Sequence, residues 1–352
     1  MTANVTLQPS GKLLVVREDE SILDAALRQG VALPYGCRSG SCGTCECRLV
    51  DGEVDYPDVP PLALTDEDIA NGAVLTCRAH PSTDLVLDAQ ELAGAGDIVI
   101  KTLPTRVVRL EKLCHDVMGV WLKLPAVERL AFRAGQYIDI LLKDGTRRSF
   151  SLANPPHDDE LLELHIRHVP GGQFTTEVFD DMREKALLRL QGPLGTFYLR
   201  ENSDRPVIMV GGGTGLAPLK AMVESAHYHG ITRPIRLYWG VRAERDIYAR
   251  ELLEQWSSTL PDFRYTIVLS DPQEDDAWEG AEGFVHEVVV EDYPDLAAYD
   301  VYMAGPPPMV EAGKKAFLKA GLPYERLFFD SFDFAAEVQA KLDELAAADR
   351  GE

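Results

Sequence analysis

The stretch YGCRSGSCGTCEC, residues 35–47, places four cysteines and three glycines in thirteen positions. No other feature restricts the fold so severely. Sulfur at that density has to be cross-linked or metal-bound, and the loop carrying it has to turn tightly. Disulfides, zinc and an iron–sulfur cluster are the candidates. The remaining sequence helps to choose. The N-terminus, MTANVTLQPSGKLLVV, shows no basic segment followed by an apolar run of signal-peptide length. No stretch of about 18 apolar residues appears that would span a bilayer. A cytoplasmic protein without a membrane span is expected, and there thiols stay reduced and metal binding is favoured over disulfides.

The spacing then discriminates. Cys37-x4-Cys42-x2-Cys45, with Cys77 far downstream, is the ligand spacing of a [2Fe–2S] cluster. Zinc ribbons favour two CxxC pairs, and here there is one. Gly36, Gly40 and Gly43 allow the loop to wrap a cluster and bring backbone N–H groups to its sulfurs. Cys47 begins an extended run, ECRLV, and is read as a non-ligand. Cys114, isolated in EKLCHDV, is expected to be a buried strand cysteine, and His115 beside it is not enough for a metal site.

Three segments and a tail differ in texture. Residues 1–95 hold five of the six cysteines. Two short β-type runs flank the turn Pro9-Ser10-Gly11, and SILDAALRQG reads as a helix with Ser21 as N-cap and Gly30 as C-cap. LTDEDIANG reads as a second, short helix. The Ala/Gly stretch 91–97 is a candidate linker. Residues 98–202 contain strands at the spacing of a small antiparallel barrel. In residues 203–334 strands alternate with helices, which implies a parallel sheet with crossover helices. Residues 335–352 form an acidic tail that could be helical. The expected fold class is therefore multidomain, α+β and α/β.

The first segment, with its helix ILDAALRQGVALPYGC and the later LTCRAHP, resembles a plant-type ferredoxin domain, which implies a β-grasp fold. Within the second segment, RRSFSLAN resembles the Arg-x-Tyr-Ser/Thr motif of the ferredoxin–NADP reductase family. Strand alternation puts Arg148 and Phe150 on one face, a cation for a flavin phosphate and a ring for the isoalloxazine. Phe150 stands where the family usually has Tyr, which keeps stacking and loses the hydroxyl. Ser149 lies within the motif, and Ser151 follows as a hydrogen-bond donor near the flavin. The resemblance implies further FAD contacts from Ile166 and Arg167, and a pyrophosphate cradle at Gly172, Gln173, Phe174 and Thr175, where a Gly-Gly pair precedes a helix. GPLGTF (192–197) matches the loop that closes the family's flavin domain.

PVIMVGGGTGLAPLKAM reads as strand, glycine loop and helix. It is not a strict GxGxxG, because Leu occupies position 216. It resembles the reductase family's Gly-Gly-Thr-Gly-x-Ala-Pro, so Gly212, Gly213, Thr214 and Gly215 are expected to approach a nicotinamide dinucleotide. YWGVR (238–242) and AGPPPMV (304–310) match later motifs of the same domain, with Gly305 and Pro306 at the cofactor. Ala304 replaces the family's usual cysteine. LFFDSFDF resembles the last strand, whose Phe332 would cover the flavin face. Arg242, close to acidic Glu244 and Asp246, is too little to argue for NADPH, which stays possible while NADH is favoured.

The whole chain apart from its tail thus resembles reductase components with an N-terminal ferredoxin domain, including those of phenol, toluene and methane hydroxylases and CDP-6-deoxy-Δ3,4-glucoseen reductase. The resemblance implies NADH, FAD and a [2Fe–2S] cluster in series, a two-electron donor linked through flavin to a one-electron carrier. The expected partner is a protein electron acceptor, either an oxygenase, a hydroxylase or a dehydratase, docking near the ferredoxin domain of a monomer. A stand-alone reductase of quinone, flavin or ferric acceptors is the alternative. The charge agrees with a basic partner. The net charge is −22, and residues 1–95 carry 15 Asp/Glu against 6 Lys/Arg, a difference of −9. Nucleic acid is excluded as a ligand on the same ground.

Overall fold

The computed structural model describes residues 2–57, 60–92, 98–273 and 276–332. Most of the candidate linker and the acidic tail lie outside the described residues. The chain divides into two compact units. The first comprises Met1–Val99 with Gly195–Phe197, and the second Ile100–Leu194 with Tyr198–Glu352.

In the first unit, a hairpin of Ala3–Gln8 and Lys12–Val16 opens a five-stranded sheet. Ala3–Gln8 pairs in parallel with the last strand, Leu85–Asp88, which is antiparallel to Glu46–Asp51; Ala73–Leu75 completes the other edge. Alternation explains the core: Val5, Leu7, Leu14, Val16, Leu85 and Leu87 point inward. Helix Ile22–Arg28 starts at Ser21, whose hydroxyl accepts from the Asp24 N–H. It buries Ile22, Leu23, Ala25 and Ala26. Gln29 is the C-cap, and Gly30, with φ +70°, is the residue just past it. That corrects the expected C-cap by one position, since glycine is favoured where the chain turns left-handed after the helix. This mixed sheet with one crossing helix is the β-grasp arrangement.

The second unit contains two sheets. The first has six antiparallel strands in the order Arg147–Ser151, Tyr137–Leu141, Leu187–Leu194, Lys101–Lys112, Val117–Lys123, Leu162–Arg167. An antiparallel bridge between Leu152 and Leu164 joins its two ends and closes a barrel. Val107, Val120, Leu122, Ile138, Ile140, Leu164 and Leu190 fill the interior. Cys114 is half-buried in the turn between two barrel strands. It is not the buried strand residue expected from its apolar flanks, because the chain reverses at residues 114–116.

The other sheet is entirely parallel, in the order Ala281–Glu282, Phe263–Leu269, Ile235–Val241, Val207–Gly212, Asp300–Gly305, Leu327–Ser331. Its strands read as continuous apolar runs because both faces are covered by helices. The strand order reverses at Val207–Gly212, which pairs with Ile235–Val241 on one side and Asp300–Gly305 on the other. Ligands of open parallel sheets bind outside the carboxyl ends of the strands at such a switch point. Here those ends are Gly211-Gly212, Ala304-Gly305 and Asp330-Ser331.

Candidate functional site

The cysteine loop assembles its thiols in pairs. Cys37 hydrogen-bonds with Cys42, and Cys45 with Cys77. The hydrogen bond from Cys42, against the opposing effect of burial, holds the Cys37 thiol down at about 3, with Ser39 and Ser41 contributing. The same bond and burial push Cys42 well up, and the Cys77 bond does the same to Cys45. The Ser39 N–H and the Ser41 hydroxyl both donate to Cys37 Sγ at 3.4 Å. The loop is closely fitted. Gly40 has φ +86°, and a Cβ there would lie 2.9 Å from Arg78 Cγ. A Cβ on Gly36 would lie 3.4 Å from Cys42 Sγ.

Pairing fits a two-iron cluster and not a single zinc ion. One tetrahedral zinc draws four sulfurs to within about 3.8 Å of each other, given Zn–S bonds of about 2.3 Å. Among the described residues the only three donors within 4.8 Å of one another are those of Cys114, His115 and Asp116, so no three of the loop thiols converge on a single point. Two irons, each taking two thiolates, match the pairs. Cys47 lies on the strand Glu46–Asp51, opposite Val74. Burial pushes its thiol up to about 12, so it stays protonated and inert.

The barrel brings the flavin-type residues to one end. Arg148 and Phe150 alternate with the exposed Arg147 and Ser149 along the strand Arg147–Ser151. The Ser149 hydroxyl is engaged with Asp139 Oδ1 at 2.6 Å. Phe150 meets Phe174 with ring centroids 5.7 Å apart. Phe174 lies in the first turn of helix Gln173–Asp180, whose N-cap Gly172 supplies no side-chain cap. The first-turn N–H groups there are suited to an anion. A Cβ at Gly172 would sit 2.6 Å from Thr175 Oγ1. That hydroxyl is occupied locally, accepting from the Val169 N–H and sharing its one proton between the Val169 and Gly172 carbonyls, which leaves the backbone N–H of Thr175 for a phosphate. Ile166 is buried in the strand beside Arg167. Arg167 Nε lies within ion-pair distance of Asp116 Oδ2, at 3.2 Å, yet neither its buried Nε nor its buried Nη2 has a hydrogen-bond partner among the described residues. A guanidinium with an unused donor suits a phosphate oxygen.

The glycine loop occupies the switch point. Gly213–Gly215 is a single tight turn leading straight into helix Leu216–Tyr228. Every side of it is in contact. A Cβ on Gly215 would fall 1.9 Å from the Ala304 carbonyl oxygen, one on Gly212 would fall 2.5 Å from Met309 Sδ, and one on Gly213 would fall 2.8 Å from Arg167 Nη1. Gly305 accepts a hydrogen bond from the Phe332 N–H at 2.9 Å, which ties the half-buried Phe332 to the turn carrying Gly305 and Pro306. Thus the residues around Ile166–Arg167 and those around Gly212–Gly215 adjoin one another. Arg242 is exposed, and the neighbouring Glu244 pairs with Arg250.

Two features escaped the sequence reading. Ser151 Oγ lies 3.4 Å from Asp330 Oδ2, both groups being buried. The motif FFDSF carried the signal, an acid inside a strand otherwise apolar. The second is a set of partly buried charges, Lys220, Glu163 and Glu224, whose members belong to a helix and a barrel strand far apart in sequence. No motif links them.

Comparison with known proteins agrees with this construction. Three family models match in order: a 2Fe-2S iron-sulfur cluster binding domain over residues 5–82, an oxidoreductase FAD-binding domain over 104–198 and an oxidoreductase NAD-binding domain over 209–315. The CDP-6-deoxy-L-threo-D-glycero-4-hexulose-3-dehydrase reductase of Yersinia pestis is 38% identical over 332 residues, covering 94% of this chain and 99% of that protein. The reductase component of phenol 2-monooxygenase from Pseudomonas sp. (strain CF600) is 35% identical over 342 residues, covering 96% of each. Among solved structures, the Amycolatopsis cytochrome P450 reductase GcoB superposes with a TM-score of 0.79 at 35% identity, covering 94% of this chain and 99% of that one. No helix among the described residues is long and apolar enough to cross a membrane. A paired-thiol loop, a flavin-type barrel end and a nicotinamide-type glycine loop on one chain, matched by relatives over nearly its full length, place this protein in the family of NAD-dependent FAD/[2Fe–2S] oxidoreductases with an N-terminal ferredoxin domain.

Proposed function

We propose that this reductase passes electrons from NADH to a protein acceptor with a basic docking patch, an oxygenase or hydroxylase component. Its domains are taken as 1–95 for the cluster, 98–202 for FAD and 203–334 for nicotinamide. Cys37, Cys42, Cys45 and Cys77 hold the cluster. Arg148, Ser149, Phe150, Ile166, Arg167 and the turn Gly172–Thr175 hold FAD; Gly212–Gly215 with Gly305 and Pro306 receive the nicotinamide. When bound, flavin accepts hydride and releases electrons singly, as a one-electron cluster requires. The chain's part is to bind, orient and exclude water. Arg148 and Arg167 offer charge to phosphate oxygens. Phe150 and Phe174 pack as an aromatic pair, and Phe332 covers the reacting face until nicotinamide takes its place. The Ser151 hydroxyl donates to the buried Asp330, and with FAD bound it is the side chain of this strand that would offer a hydrogen bond to the flavin. NADH is preferred, since exposed Arg242 stands close to the carboxylates of Glu244 and Asp246, which disfavour a 2′-phosphate.

The observation that carries the reading is the pairing of four thiols on the same chain as both nucleotide-type sites. The acceptor side is supported by the face beside the cluster loop. Ala63 N–H donates to the Gly40 carbonyl, so residues 61–70 border the loop. Leu62 is 70% exposed, Ile69 44%, and Asp66, Glu67 and Asp68 form the first helical turn there. An apolar spot ringed by acids suits a basic partner. A dehydratase acceptor is the second reading, favoured by the relatives named as dehydrase reductases.

Anaerobic addition of NADH, followed by visible absorbance and low-temperature EPR, tests the sequence of carriers. Flavin bleaching with a rhombic S = 1/2 signal is expected, and Cys42→Ser keeps the bleaching and loses the signal. Bleaching with no cluster signal in the wild-type protein would reduce the reading to a plain flavin oxidoreductase.

A further inference from the structure

A largely enclosed polar chain runs from the helix that follows the glycine loop, through the barrel, and back to the loop. Lys220, on that helix, is 13% exposed. Its ammonium donates to the Ala153 carbonyl at 3.1 Å, to Glu163 Oε2 at 3.0 Å and to Glu224 Oε2 at 3.2 Å. Glu163 Oε1 is 2.9 Å from His165 Nε2, and His165 Nδ1 is 3.2 Å from the Tyr248 hydroxyl. Tyr248 meets Trp239 edge-on at 5.0 Å, and the Trp239 indole N–H donates to the Gly213 carbonyl at 2.8 Å. Glu163 and His165 lie on the strand Leu162–Arg167, which ends at Ile166 and Arg167.

We propose that Lys220 and Glu163 are positioning residues for hydride transfer: with His165 and Tyr248 they fix the loop Gly213–Gly215 against the strand end Ile166–Arg167. Even partial burial of three charges carries a cost, and apolar side chains of similar size would hold a helix on a barrel at least as well. What the charges add is direction. Lys220 has three donors and uses two of them off its own helix, on the Ala153 carbonyl and Glu163, so the helix cannot slide along the strand without breaking one of them. Two links return this register to the reacting groups, the Trp239 bond to the Gly213 carbonyl and the contact of Arg167 with Gly213. Transfer between two bound rings is steeply sensitive to such register, since a misplacement of about 1 Å can cost about a hundredfold in rate. The inference rests on the placement of FAD and nicotinamide proposed above and is independent of the acceptor.

The test is single-turnover flavin reduction in the holoenzyme at saturating NADH. Lys220→Met is expected to slow it about tenfold or more, to weaken the long-wavelength charge-transfer absorbance of reduced enzyme with NAD+, and to speed amide exchange in residues 213–220. NADH affinity should stay within about threefold and cluster content should be unchanged. Lys220→Arg restores most of the rate. Tyr248→Phe, which removes one hydroxyl and keeps the ring on Trp239, gives a smaller slowing in the same direction, and it decides the matter if Lys220→Met does not fold. A lowered melting temperature with wild-type flavin reduction and charge-transfer absorbance would overturn the proposal, leaving a clamp that serves folding alone. Gly213→Val is the control for the underlying site: if it reduces flavin normally, the nicotinamide assignment has failed and not merely the clamp.

Discussion

Single residues carry the sharpest constraints, and they act by exclusion. At Gly215 no side chain fits, because the Ala304 carbonyl already occupies the place of a Cβ at 1.9 Å. The carbonyl belongs to the neighbouring parallel strand and cannot move without breaking the ladder to Gly211. Gly215→Ala is therefore expected to lower stability by a few kcal/mol, the range of core overpacking, and to abolish flavin reduction by NADH while leaving the cluster spectrum intact. Visible spectra and anaerobic NADH titration of the purified variant check this. Normal reduction would mean that the loop has room to shift. The glycine itself was legible in GGGTGLAP, since the spacing is a property of the sequence. The reason for it was not, because the obstructing atom comes from residue 304. Asp330 beside Ser151 was missed for the same reason: 179 residues separate them.

At the scale of elements, the partly buried ion cluster joins one helix to one strand. Burial raises the Glu163 carboxyl, but the His165 hydrogen bond and the Lys220 ammonium more than offset it and bring it from 4.5 to about 2. For Lys220, burial acts to lower the pKa, and the Glu163 and Glu224 carboxylates outweigh it. Glu224 is itself raised by its burial. A depressed carboxyl contributes stability that is fully present above its unfolded value and is lost as pH falls toward the folded one. For Glu163 that window runs from pH 4.5 down to about 2, and the depression corresponds to about 3 kcal/mol. Urea midpoints measured downward from pH 4.5 should therefore fall less steeply in Glu163→Gln than in wild type, from a lower starting point. Equal slopes would place the acid sensitivity elsewhere. The strands and helices that carry these groups were readable from periodicity, because a side chain's face depends only on local geometry. Even Cys114 was misjudged only where a turn interrupts two apolar runs.

For the whole molecule the governing quantity is charge. The net charge of −22 and the −9 of residues 1–95 place a negative field around the cluster-bearing unit, with Asp66, Glu67 and Asp68 adjoining the cluster loop. Encounter with a basic acceptor is then steered, and added salt weakens the steering within a Debye length of about 10 Å at 0.1 M. Electron transfer to the physiological acceptor should slow as ionic strength rises. Glu67→Lys should raise the acceptor KM about threefold to tenfold, the scale of one lost charge contact, without changing NADH-driven flavin reduction. Stopped-flow transfer measured against salt concentration checks both, and salt-independent transfer would remove the docking reading.

The sequence by itself determined the order of the modules, the identity of the candidate cofactors and nearly every candidate contact, because each motif is a short segment whose chemistry follows from residue type and spacing. Cysteine spacing selected a two-iron cluster, and glycines before helices marked the candidate phosphate sites. Tertiary structure alone decided which of these segments meet. The pairing of Cys45 with the distant Cys77, the meeting of Phe150 with Phe174, the obstruction at Gly215 and the chain from Lys220 to Gly213 all join residues whose separation in sequence carries no signal. Their proximity comes from barrel closure and from strand order in the parallel sheet, which arise as the whole chain buries its apolar surface.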